Sequence, residues 1–223
     1  MQVSDRIKLR LKENNKRFFA CDNVSEFILD GEQDELILEL TEKFNSVLDS
    51  LIIDRENDPN SHETGKRLAK MYVREIMEGR YSPEPNVTAF PNEGSDRYDG
   101  MIVVRAEIRS MCSHHHQPVV GEAFIGIIPN GKVLGLSKYI RLAQWAARRG
   151  TLQEELCVHI RQLISEKTGT EDVAVQISAR HGCCENRGVM AKNSNTQTAS
   201  LGGCFKEHRV RDEFYSNLLL NKE

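Results

Sequence analysis

Met101-Ile102-Val103-Val104-Arg105-Ala106-Glu107-Ile108-Arg109 is rich in valine and isoleucine and alternates apolar with polar residues toward its end, so it reads as a β-strand. Val119 to Pro129 reads as a second strand, closed by the turn Pro129-Asn130-Gly131. Ser137 to Arg148 and Leu152 to Lys167 follow with helical periodicity; Ser137 is a natural N-cap, and Gly150-Thr151 breaks the chain between them. Val173 to Ala179 alternates as a strand does, Thr196 to Phe205 is a fourth strand, and Val210 to Leu220 is helical. The order strand, strand, helix, helix, strand, strand defines an α+β unit over residues 101–223.

Residues 1–100 have a different character. Ser25 to Ile52 carries Phe27, Ile28, Leu36, Leu38, Leu40, Phe44, Val47, Leu48 and Leu51 near helical spacing, and His62 to Met77 carries Leu68, Met71, Tyr72 and Ile76 on one stripe. Tyr81 to Gly100, with three prolines and several Asn, Asp and Gly residues, reads as a loop closing this helical section. Met1 to Lys16 is polar and charged, and Met1 to Cys21 reads as an interface arm or a disordered segment.

A chain of 223 residues with 39% hydrophobic and 28% charged content buries an adequate core without disulfides. No apolar run is long enough to span a membrane, and the expected location is the cytoplasm, where thiols stay reduced. A net charge of -3 gives no electrostatic reason to expect nucleic acid.

Six cysteines fall into two groups. Cys21, Cys157 and Cys204 sit singly among apolar or helical neighbours and read as small buried hydrophobes. Cys112 and Cys183, with His115, lie just outside predicted strands, where loops converge on a rigid scaffold. Two thiols and one imidazole hold a metal ion and leave a coordination position open, the pattern of a catalytic rather than a structural zinc. His116 and Cys184 offer an alternative ligand one residue from each.

Several blocks together resemble the GTP cyclohydrolase I family: Ser110-Met111-Cys112-Ser113-His114-His115, Val133-Leu134-Gly135-Leu136-Ser137-Lys138, Gln153-Glu154, Cys183 with Arg187-Gly188, and Thr198-Ala199-Ser200-Leu201-Gly202-Gly203. Lys66-Arg67-Leu68-Ala69-Lys70-Met71-Tyr72-Val73 resembles the family's segment ahead of its sheet, and the likeness runs from about Ser46 to Phe214. It implies a tunnelling fold assembled as a toroidal homodecamer with active sites shared between subunits. It implies hydrolysis of GTP at C8, release of formate and closure to 7,8-dihydroneopterin triphosphate, with Zn2+ making water nucleophilic at neutral pH.

By the same resemblance Cys112, His115 and Cys183 hold the metal, chosen over His116 and Cys184 by their distances to Pro118 and Arg187-Gly188. His114 protonates N7, and His181 serves the ribose and later proton transfers. Ser137 adds hydroxyl and backbone donors, and Arg67, Lys138, Arg141 and Arg187 match the triphosphate contacts. Gln153 and Glu154 match the guanine readers. Two departures stand out: Ser113 occupies the usual place of a glutamate, and Gly65 the usual place of a proline. The alternatives are a related purine-nucleotide cyclohydrolase with an altered reaction, and a catalytically silent nucleotide-binding zinc protein.

Overall fold

The computed structural model describes residues 1–220. The chain divides into two compact units, Met1–Pro83 and the remainder from Glu84 onward.

The first unit is helical: α1 (Val3–Glu13), a 3-10 turn at Ser25–Phe27, α2 (Glu32–Ser50), α3 (Thr64–Met71), a π-helical turn at Tyr72–Ile76, and α4 (Glu78–Tyr81). The amino-terminal segment is therefore ordered helix, contrary to the expectation of an arm. Val3, Ile7 and Leu11 recur every fourth residue and are buried with Leu36, Ile37, Ala69 and Val73. The polar surroundings hid that stripe in the sequence. The helix is tied down by Glu39, which accepts hydrogen bonds from Ser4 N at 2.9 Å and Ser4 Oγ at 2.6 Å. The helix expected from Ser25 begins only at Glu32, because Gly31 takes φ 83°, a left-handed turn that interrupts it.

Gly65, on α3, has a packing reason. A Cβ there would lie 2.1 Å from Asn45 Oδ1 and 3.1 Å from the Thr41 carbonyl oxygen on α2, so the two helices approach too closely for a side chain. The departure from proline is local and steric.

The second unit contains a five-stranded sheet. Its strands are β2 (Ile102–Cys112), β3 (Pro118–Ile127), β5 (Gly150–Thr151), β6 (Val173–His181) and β7 (Thr196–Leu201), in the order β5-β2-β3-β6-β7. Only β5 runs parallel to its neighbour; the others pair antiparallel. A small second sheet pairs β1 (Ala89–Asn92) with β4 (Gly131–Leu134), so the region expected as loop from Tyr81 to Gly100 contributes a strand to this unit.

Helices α5 (Leu136–Ala147) and α6 (Gln153–Thr168) cover one sheet face. Strand alternation delivers Ile108, Ile125, Val175 and Ile177 to that side, each fully buried against Leu142, Leu156 and Ile160. Each such isoleucine contributes about 1.5–3 kcal/mol of hydrophobic stabilisation. The opposite face buries Phe124 and Ala174 under Phe205, in the 3-10 turn Gly203–Lys206, and Phe214 of α8 (His208–Leu220). The fourth strand thus ends at Leu201 rather than Phe205. Ser137 lies within the first turn of α5, where Gly135 takes the N-cap position with no side-chain cap.

Candidate metal and nucleotide site

Backbone pairing gathers the chemistry at one end of the sheet. β2 ends at Cys112 and β3 starts at Pro118, with Met111 opposite Pro118. The turn between them is closed by two hydrogen bonds: Cys112 N donates to the Gln117 oxygen and His116 N to the Cys112 oxygen, both at 2.9 Å. His114 and His115 project from this turn, both exposed, with ring centroids 6.1 Å apart and nearly perpendicular.

On the other side of β3, Val119 pairs with His181, the last residue of β6. The chain then turns into α7 (Gly182–Glu185), a single helical turn carrying Cys183 and Cys184. Gly182 fits closely against the head of β3: a Cβ would lie 3.1 Å from Pro118 Cδ. The third contribution is β5, where Thr151 pairs with Cys112 and α6 begins two residues later at Gln153.

Cys112, His115 and Cys183 converge here, their ligand atoms all within 4.8 Å of one another. Among the described residues this is the group of side chains able to hold a metal ion, and His116 and Cys184 are not part of it. The donor set fits zinc. Ligands about 2.0–2.3 Å from a tetrahedral ion stand about 3.3–3.8 Å apart, so shifts of about an ångström close the triad around one. Cys112 is buried and Cys183 half-buried. Burial, then the neighbouring Cys112 and Cys184 thiols, push the Cys183 thiol up to about 11. A thiol pushed up in this way becomes a stable thiolate only beside a cation.

That shift has a measurable sign. Cys183 carries its proton at neutral pH in the metal-free chain, so loading should expel at least that proton, and affinity should rise with pH. Zinc addition to weakly buffered protein with an indicator dye should show acidification. A proton-neutral titration with full binding would contradict the assignment of Cys183.

Gln153 is almost fully buried, and its Nε2 donates to the Ile177 oxygen at 3.2 Å, the Thr196 oxygen at 3.0 Å and Thr198 Oγ1 at 3.1 Å. Its Oε1 is buried without a hydrogen-bond partner among the described residues, leaving one acceptor free. Glu154 is exposed in the first turn of α6. Ser137, Lys138 and Arg141 lie on the first half of α5, and Lys138 Nζ donates to the Asn86 oxygen at 3.4 Å. Arg187 is exposed in the turn after α7, where Gly188 takes φ 60°. Arg67 belongs to the other unit, exposed on α3.

Sequence reasoning passed over one pair beside the site. Arg180 and Glu185 form a two-pronged ion pair across the corner that carries His181 and Cys183. The Arg180 hydrogen bonds hold the Glu185 carboxyl below its ordinary range, with a smaller contribution from His181. Nothing in the sequence marks it beyond opposite charges five residues apart.

An α+β sheet scaffold with a thiol–imidazole–thiol group at its end has a place for a metal ion. The profile of the GTP cyclohydrolase I family matches residues 40–219. "GTP cyclohydrolase 1" of Aeromonas hydrophila is 41% identical over 193 residues, covering 85% of this chain and 86% of the relative. That of Flavobacterium johnsoniae is 34% identical over 206 residues, covering 92% and 91%. The chain belongs to the GTP cyclohydrolase I family and is an enzyme of that type. Among the described residues no helix is long and apolar enough to cross a membrane.

Proposed function

We propose that the chain is a zinc-dependent GTP cyclohydrolase I, which opens the imidazole ring of GTP at C8, releases formate and recloses the product as 7,8-dihydroneopterin triphosphate. The observation that carries this reading is the convergence of Cys112, His115 and Cys183 within 4.8 Å at the sheet end, in a chain of this family. Zinc held by those three side chains would supply Lewis acidity that makes water nucleophilic near neutral pH.

The remaining steps belong to the side chains. His114, beside His115 on the exposed turn, gives a proton to N7 so that C8 becomes electrophilic. His181, at the end of β6, moves protons on the ribose side during ring opening and rearrangement. The Glu154 carboxylate accepts from N1-H and the 2-amino group of guanine; adenine lacks both donors and leaves the carboxylate unmatched. Gln153 Nε2 is taken up by acceptors on β6 and β7, so its part in reading guanine falls to Oε1.

Lys138, Arg141, Arg187 and Arg67 neutralise the triphosphate, with Ser137 adding a hydroxyl donor. The tunnelling topology, a toroidal homodecamer with sites shared between neighbours, and a cytoplasmic location complete the proposal. Metal-loaded protein incubated with GTP tests it, following formate together with the ultraviolet band of dihydroneopterin triphosphate. Both products are expected. Formate without pterin would replace this reading with a truncated reaction and implicate Ser113, and neither product from loaded, GTP-bound protein would overturn it.

A further inference from the structure

Arg180 and His181 are consecutive on β6, so strand alternation sends their side chains to opposite faces of the sheet. Behind His181, Arg180 Nε meets Glu185 Oε1 at 2.8 Å and Arg180 Nη2 meets Glu185 Oε2 at 2.9 Å. The side chains are unequally placed: Arg180 is 64% exposed and Glu185 13%. The pair spans the corner containing His181, Gly182, Cys183 and Cys184.

Backbone bonds within and after the corner are few: Asn186 N donates to the Gly182 oxygen and Ala191 N to the Cys184 oxygen, both at 2.9 Å. α7 has four residues, well below the length at which an isolated helix holds its shape. One side of the corner is fixed by the pairing of His181 with Val119 and the fit of Gly182 on Pro118. The far end of α7 is attached to β6 through the Arg180–Glu185 fork, whose two parallel bonds set direction as well as distance. A partly exposed ion pair adds little to global stability, so its effect should appear in orientation instead.

We propose that Arg180 and Glu185 are positioning residues, a clamp across the β6–α7 corner that sets the spacing between His181 and Cys183. This rests on the roles given to those two residues under Proposed function. Neither clamp residue touches the reacting atoms; both act through the backbone they join.

The test is a double-mutant cycle on the full, zinc-loaded chain with Arg180→Gln, Glu185→Gln and the double variant. Each single change is expected to lower kcat for formate release about ten- to a hundred-fold and weaken zinc, measured against a chromophoric chelator, by about ten-fold. KM for GTP should stay within about two-fold and Tm should hold, since neither phosphate contacts nor core are touched. The double variant should lose no more than either single one, because each removes the same clamp. Single variants with unchanged kcat and zinc affinity, or losses that simply add, would overturn the clamp. A wild-type chain releasing no formate would sink the cyclohydrolase reading instead, and the zinc affinities, which need no turnover, would still decide the clamp.

Discussion

Cys183→Ala is expected to reduce formate release from GTP by about three orders of magnitude or more while leaving the fold intact. Loss of one of three ligands removes metal-derived stabilisation worth several kcal/mol of barrier, at about 1.4 kcal/mol per tenfold. The cost to folding should be small. Cys183 sits half-buried on a one-turn helix at the sheet end, packed against the edge of the core that holds Ile108, Ile125 and Ile177 but outside its fully buried layer. Circular dichroism and Tm should match the parent, and bound zinc after dialysis should fall to a small fraction. Normal turnover would show that the ligand lies elsewhere, and Cys184, whose sulfur is 4.0 Å from that of Cys183, would then be replaced next.

The second large effect is expected at His114. Removing a positioned general acid costs about 10²- to 10⁴-fold in rate. His114→Asn keeps a polar side chain on an exposed turn whose backbone is closed independently at Cys112 and His116, so folding and zinc content should be retained. Retained zinc distinguishes this variant from Cys183→Ala. A His114→Asn protein with full metal and parental kcat would exclude His114 from proton transfer at N7.

Much of this architecture was legible because the signals were local. Valine and isoleucine alternation located β2, β3 and β6 to within a few residues, and two amphipathic runs located α5 and α6. What escaped depended on partners distant in sequence. β1 has no alternation to betray it and exists because Ala89–Asn92 finds Gly131–Leu134. β5 is two residues long and exists because it pairs with the end of β2. Ser137 looked like a cap by residue type alone, and the backbone placed that position at Gly135.

The candidate site divides in the same way. Residue type and strand ends drew attention to Cys112, His115 and Cys183, but left His116 and Cys184 as alternatives, and the choice among them came from the family's motif distances. Their mutual approach could not be read there, because it depends on the register that sets Val119 opposite His181. The internal use of Gln153 Nε2 was also beyond reach: three acceptors on β6 and β7 take it up, and only tertiary packing brings them there.

The short parallel pairing of Thr151 with Cys112 has a consequence for how specificity and reactivity are kept in step. It joins a proposed metal ligand to the start of α6, and so to Gln153 and Glu154, through main-chain atoms alone. The separation between where a base is read and where it is attacked then works like a ruler cut into the backbone, insensitive to rotamer choice. Substitutions among the arginines proposed to meet the triphosphate would retune affinity freely, whereas an insertion of one residue between Thr151 and Gln153 would misplace every substrate by the same amount.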